Sequence, residues 1–195
     1  MAQYFAIDPR HPQPRLIARA AEIVRAGGVI AYPTEGVWGL GCEPLNAHAC
    51  RRIVRLKKRG RGKGFILIAS DFAQVTPFLA HISRPKLKPA FRTWPGPATW
   101  LLPAAAWVPA HRTGGRGTLA VRITAHPVAA ALCAAYGGPI VSTSANVSGR
   151  APARSALQLQ RRFGDAIDYL MTGAVGGLQR PTPIRDLASG KVLRA

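Results

Sequence analysis

Gly27-Gly28-Val29-Ile30-Ala31-Tyr32-Pro33-Thr34-Glu35-Gly36-Val37-Trp38-Gly39-Leu40-Gly41 holds the transition that decides the fold. Upstream, Leu16, Ile17, Ala20, Ile23 and Val24 recur at helical spacing, and the paired glycines stop that helix. The next four residues, Val29 to Tyr32, have no charged member and read as a short buried strand. Proline ends the run. Thr34 and Glu35 therefore fall at a strand's carboxyl edge, where open α/β sheets bind ligands. A tight turn with structural glycines accounts for the same residues, so this segment by itself leaves both readings open.

Outward from it the chain keeps alternating helix and strand. Asn46 is placed to cap a second helix carrying Ile53, Val54 and Leu56, and residues 65–69 read as a central strand. A weaker helix is expected around 72–79. After Trp94-Pro95-Gly96-Pro97, residues 99–102 and 119–123 look like neighbouring strands joined by a glycine-rich connection. Pro127 opens an alanine-rich helix that ends near Gly137-Gly138, and Ile140-Val141-Ser142 is the next strand. Ser155 caps a helix over 156–163, with short strands near 167–171 and 184–187. The sum is an α/β layered domain around a twisted sheet of mixed strand direction, expected to be a single domain over 1–195.

The composition suits a folded enzyme: 195 residues at 48% hydrophobic content can bury one substantial core. Lysine and arginine number 27 against 8 acids, a formal charge of +19 that favours phosphate-rich ligands and draws polyanions such as RNA. Cys42, Cys50 and Cys133 fit neither a disulfide framework nor a paired metal spacing, which points to a reducing compartment. The first fifteen residues lack the apolar run of a signal peptide, and no stretch reaches transmembrane length. A soluble, cytoplasmic protein is expected.

Two further segments hold side chains that a core does not need. In Leu56-Lys57-Lys58-Arg59-Gly60-Arg61-Gly62-Lys63-Gly64 the glycines let the backbone fold closely enough for Lys57, Arg59 and Lys63 to converge on one anion. It is not a Walker loop, since no Gly-Lys-Ser/Thr follows a strand. A solvated charge run is the plainer reading of the same residues. In Val141-Ser142-Thr143-Ser144-Ala145-Asn146-Val147-Ser148-Gly149 a strand leaves the core into hydroxyls and a carboxamide, donors and acceptors suited to phosphate, ribose or an amino acid. The eight acids, Asp8, Glu22, Glu35, Glu43, Asp71, Asp165, Asp168 and Asp186, put no close pair within these motifs to act as an acid/base dyad.

Together these segments resemble the YrdC-like family, most closely its short bacterial single-domain form. Its Pro-Thr-Glu-x-x-x-Gly-Leu stands at Pro33 to Leu40, its Lys-x-Arg at Lys57 to Arg59, and its Ser-Ala-Asn-x-Ser-Gly at Ser144 to Gly149. Trp94-Pro95-Gly96-Pro97-x-Thr99 and Ala120-Val121-Arg122 add two more signatures in the right order. The resemblance implies a YrdC-like sheet flanked by helices with a concave basic ligand cleft. It implies a nucleotidyltransferase that forms L-threonylcarbamoyladenylate and pyrophosphate from L-threonine, bicarbonate and ATP, for threonylcarbamoyladenosine modification of tRNA beside the anticodon. Mg²⁺ would accompany ATP, with no fixed protein metal site, and proteins of the tRNA threonylcarbamoylation pathway would be partners.

By motif, the resemblance gives Lys57, Arg59, Lys63, Thr118, Asn146, Arg154 and Arg194 as ATP contacts. It gives Thr34, Arg122, Ser144 and Thr182 as threonine contacts, with Thr182 in the place of a family serine. Lys57 and Arg59 would be the catalytic pair, acting electrostatically and without a side-chain nucleophile. Gly60 stands where many members have proline, and Thr182-Pro183-Ile184 where Ser-Thr-Ile/Val is usual. The alternative from another class is a basic RNA-binding protein of ribosome or tRNA maturation, which the charge favours. Its weakness is an aromatic content of 7% with no ring in the basic segment to stack on bases. A carbamoyltransferase for another small substrate shares the expected fold. Contact with tRNA or other RNA is compatible with the enzyme as well, since the same concave basic surface can serve both roles.

Overall fold

The computed structural model describes residues 3–6, 8, 11–60, 62–153, 155–178 and 182–194. The first helix, α1 (Pro14–Arg25), has proline in its first turn and ends where Gly27 takes a φ of +82°. β2 (Ile30–Pro33) follows and turns back through β3 (Trp38–Gly41); β1 (Gln3–Ala6) precedes both. α2 (Ala47–Leu56) begins at Asn46, whose Oδ1 accepts the Ala49 N–H at 2.9 Å, as the sequence leads one to expect. Next come β4 (Ile66–Ala69), α3 (Arg84–Phe91), β5 (Thr99–Pro103), the single turn α4 (Ala110–Thr113) and β6 (Thr118–Ile123). α5 (Pro127–Tyr136), β7 (Ile140–Ser144) and α6 (Ala156–Phe163), with Ser155 Oγ accepting from Gln158 N at 3.2 Å, lead to β8 (Tyr169–Thr172), β9 (Ile184–Asp186) and β10 (Val192–Arg194).

The strands join in the order β1-β8-β2-β3-β7-β4-β6-β5-β9-β10. Pairing is mixed: β4 runs parallel to β6 and β5 to β9, while β3 and β4 both run antiparallel to β7 between them. Period-two alternation then divides the core. Ile30, Tyr32, Ile68, Ile140, Tyr169 and Met171 face one way and pack beneath α1 and α5. Ala31, Leu67, Ala69, Val121, Val141 and Leu170 face the other way, toward Ala49 and Ile53 of α2, Leu87 of α3 and Leu159 of α6. Both faces of the central strands are therefore apolar, as a sheet covered on both sides requires.

Two local points differ or are settled by the structure. Residues 72–79 form only a 3-10 turn at Thr76–Phe78. The Asp71 carboxylate accepts the Gln74 N–H at 3.2 Å while Gln74 Oε1 accepts the Ser70 N–H at 3.0 Å, so side chains take backbone partners a helix would use. The helix stands further on, as α3, where Pro85 is tolerated in the first turn and Leu87 and Ala90 are buried. Residues 38–41, glycine-rich enough to read as a turn, are a strand. A Cβ on Gly41 would fall 2.7 Å from Cε1 of Tyr32 and 2.8 Å from the Val141 carbonyl, so glycine is what lets three strands close up here.

Candidate functional site

Beyond the cover of α1 and α5, the same sheet face opens into a cavity of about 670 Å³. The reason lies in alternation along the strands. On β6, Leu119, Val121 and Ile123 enter the opposite core, whereas Thr118, Ala120 and Arg122 line the cavity. On β7, Ser142 and Ser144 line it and Val141 does not, with Thr143 joining them near the strand's end. Register puts Ser142 beside Ile66, Ile66 beside Ala120, and Ala120 beside Leu101, a floor of small and medium side chains across four strands. Gly39 lies opposite Ser144.

At one end the floor is ionic. Arg122, buried, donates from Nη1 to Thr182 Oγ1 at 3.1 Å and pairs through Nη2 with Glu35 Oε2 at 3.4 Å, while its Nε has no hydrogen-bond partner. Glu35, only 7% exposed, accepts through Oε1 from Thr124 Oγ1 at 2.6 Å and from the Ala125 N–H at 3.2 Å. Thr34 also lines the cavity, its hydroxyl donating to the Val37 carbonyl at 2.6 Å. Above the pair, the Gly176 N–H donates to the Thr34 carbonyl, and a Cβ at Gly176 would meet Glu35 backbone at 2.8 Å. Sequence reading marked Thr34, Arg122 and Thr182 but not the role of Glu35. The pairing joins residues 87 positions apart on different strand ends, and no spacing rule reports it.

The basic segment divides at Lys58, whose φ of +46° reverses the chain. Lys57 turns inward and is 2% exposed. Its ammonium donates to the Ser144 carbonyl, to the Asn146 carbonyl at 2.9 Å and to Asn146 Oδ1 at 3.1 Å. Its own carbonyl accepts from the Ser148 N–H at 2.8 Å. Burial, and then the charge of Arg59, lower its pKa to about 8. Lys57, read from sequence as a phosphate contact, is thus directed at the 144–148 turn and is not among the cavity-lining residues.

Arg59 and Lys63 do line the cavity, with Thr118, Asn146 and Arg194. Arg59 donates from Nη2 to the Gly64 carbonyl at 2.6 Å and lies 5.5 Å over the Phe65 ring; burial and then Arg194 lower its pKa. Arg194 Nη2 donates to the Thr182 carbonyl at 2.8 Å, tying β10 to the ionic end. Ser144 Oγ donates to Asn146 Oδ1 at 2.6 Å. Arg154 and Arg61 lie outside the described residues.

Ser142 and Thr143, hydroxyls of the polar strand end quoted from the sequence, also line the cavity, and so do Arg112 and Arg116, which were not read from sequence. Arg112 lies in the single turn α4 and Arg116 in the connection after it, and no motif or spacing marks either one. No aspartate or glutamate is among the lining residues described. No group of three or more His, Cys, Asp or Glu side chains that could hold a metal ion occurs among the described residues either.

Comparison with known proteins agrees over most of the chain. The Sua5/YciO/YrdC family model, described as "Telomere recombination", matches residues 22–195. Among curated proteins, "Threonylcarbamoyl-AMP synthase" of Halorhodospira halophila is 53% identical over 186 residues, covering 95% of this chain and 97% of that protein. The protein of the same name from Alkalilimnicola ehrlichii is 52% identical over 191 residues, covering 96% and 100%. Among solved structures, E. coli YciO superposes with a TM-score of 0.90 at 32% identity, covering 100% of this chain and 95% of that one. P. abyssi Sua5 complexed with L-threonine gives a TM-score of 0.90 at 31% identity, covering 98% of this chain; this chain spans 56% of the Sua5 chain.

Proposed function

The chain belongs to the Sua5/YciO/YrdC family, and on that premise we propose that it is a threonylcarbamoyl-AMP synthase, a nucleotidyltransferase joining L-threonine, bicarbonate and ATP for tRNA modification. The observation behind this reading is one cavity with a buried arginine–glutamate pair at one end and Arg59, Lys63 and Arg194 around the rest, without a lining carboxylate among the described residues. An amino acid and a polyphosphate need that division of chemistry.

At the ionic end, Arg122 pairs the threonine carboxylate, with Thr34, Ser144 and Thr182 offering hydroxyls to its polar groups. Glu35 holds Arg122 in place from the side away from the cavity. The threonine amine adds to bicarbonate with loss of water, giving a carbamate. A carbamate oxygen then attacks the α-phosphorus of ATP, the α–β bridging bond breaks, and pyrophosphate leaves with the electron pair. Two anions must meet in that step, so fixed cations lower its barrier by neutralising charge where it develops. Arg59, Lys63 and Arg194 supply those cations, and Thr118 and Asn146 add neutral contacts to the nucleotide. Lys57 works one layer below, fixing the turn that presents Ser144 and Asn146. Arg154 belongs to the nucleotide set by motif.

The donor set does not fit a resident metal, because the lining residues described include no carboxylate and no metal-binding cluster. Mg²⁺ belongs to this reading as part of the MgATP substrate. The whole chain acts as one YrdC-like domain, in the cytoplasm, and passes its product to proteins of the tRNA threonylcarbamoylation pathway. Surplus cations such as Lys58 are available for contact with tRNA or other RNA. No described helix is long and apolar enough to cross a membrane.

Pyrophosphate release should require threonine and bicarbonate together. Arg59→Ala should cut its kcat/KM for ATP about a hundredfold, the loss of a cation acting on the transition state, while the melting temperature changes little. Wild-type release without threonine, or an unaffected Arg59→Ala enzyme, would refute the reading.

A further inference from the structure

Arg112 is 1% exposed, and no aspartate or glutamate pairs with it among the described residues. Its Nη2 donates to Cys50 Sγ, while Nε and Nη1 have no hydrogen-bond partner. The guanidinium lies 5.6 Å over the Phe65 ring, the ring that Arg59 also covers. Cys50 is itself buried in the core, with the buried Cys42 Sγ 3.4 Å from its own sulfur. A cation taken so far from water without an opposite charge is strongly destabilising, and sulfur is the partner on hand.

We propose that Cys50 is a thiolate paired with Arg112, and that this buried pair positions the Gly64-Phe65 end of the basic loop for a phosphate-bearing substrate. Cys42 completes the arrangement as a thiol donating its S–H to Cys50. The surrounding groups pull in a consistent direction. The hydrogen bond from Cys42, and then the charge of Arg112, draw the Cys50 pKa below that of an ordinary thiol against the opposing effects of burial and Glu43, and Cys42 is pushed up in return. The one contact that suits a thiol better is the Glu43 carbonyl, 3.6 Å from Cys50 Sγ, a neutral acceptor where the arginine is a full charge.

The link to the site runs through backbone. The Arg112 carbonyl accepts the Phe65 N–H at 2.9 Å, and a Cβ on Gly64 would fall 2.5 Å from that carbonyl oxygen, so the two segments are in direct contact. Gly64 in turn holds Arg59 through its carbonyl. Cys50 and Arg112 are positioning residues: through Gly64 and Phe65 they fix where Arg59 points. This role for the loop rests on the function proposed above, but the thiolate does not.

The test begins with the unsubstituted, reduced full chain at neutral pH. Its ultraviolet thiolate band should correspond to one sulfur per chain and vanish on unfolding in urea at the same pH. Cys133, pushed up to about 12 by burial, will not contribute. Folded Cys50→Ser should lack the band and show an ATP KM raised about tenfold with kcat nearly kept, as loss of loop placement predicts. Cys50→Asp, which restores the negative charge, should recover much of that affinity. A native chain without the band overturns the proposal, as does a folded Cys50→Asp that binds ATP no better than Cys50→Ser. The band is read without turnover, so an inactive chain that shows it would refute the enzyme reading and leave the thiolate standing.

Discussion

Replacing Arg122 by methionine is expected to abolish threonine-dependent adenylate formation and to lower stability by roughly 3–5 kcal/mol, because Glu35 is left buried without its cation. The two effects have different causes and can be separated. Glu35 is held by Thr124 and Ala125 as well as by Arg122, so its carboxylate stays in place when the arginine goes. Adding Glu35→Gln to Arg122→Met keeps an acceptor for those two donors and removes the unpaired charge. The double variant should therefore regain most of the lost melting temperature and none of the threonine-dependent turnover. Glu35→Gln alone should raise the KM for threonine more than it lowers kcat, since Arg122 remains but is less firmly directed. Recovery of turnover in the double variant would show that Arg122 serves only to neutralise Glu35.

Lys57→Met is the second large effect, and it should fall on folding as well as on catalysis. Three oxygens around one ammonium lose a donor; the Ser144 carbonyl keeps the Asn146 N–H and Asn146 Oδ1 keeps the Ser144 hydroxyl, so the Asn146 carbonyl is the one left unsatisfied. An unsatisfied buried acceptor costs about 1–3 kcal/mol, so a loss of that order is expected, above that of Arg59→Ala. Denaturant unfolding of the two variants side by side checks this ordering. Equal stability would mean that Lys57 is free to reach phosphate directly.

The same lysine sets a pH signature. Its native pKa of about 8 lies below the ordinary lysine value of 10.5, so between those two values the unfolded chain binds more protons than the folded one. Its contribution to stability accordingly rises, not falls, as pH increases across that window. Site order should move the other way, because a neutral amine has two N–H donors for three acceptors. ATP affinity should thus weaken as pH passes about 8 without a matching loss of global stability, and Lys57→Met should not show that step.

The layered α/β fold was legible because local signals and burial agree: the Asn46 and Ser155 caps, the Gly27 stop and the apolar run before Pro33 each act within a few residues. Glycine left the local reading open. Gly39 and Gly41 are compatible with a turn, yet they lie in a strand, and at Gly41 Tyr32 and Val141 come too close for any side chain. In the site, Thr34, Arg59, Arg122, Ser144, Asn146, Thr182 and Arg194 were marked by motif and all line one cavity. The burial of Lys57 was not legible, since a lysine within a charge run gives no sign that its neighbour's left-handed backbone turns it inward. Glu35 and Cys50 were hidden for a common reason. Each matters through a partner more than fifty residues away, Arg122 in one case and Arg112 in the other.

The most direct measurement is the mass of the nucleotide made when the chain is incubated with ATP, bicarbonate and L-threonine. Threonylcarbamoyl-adenylate should accumulate with pyrophosphate and disappear when threonine is left out. AMP or adenylate formation regardless of the amino acid supplied would contradict the account.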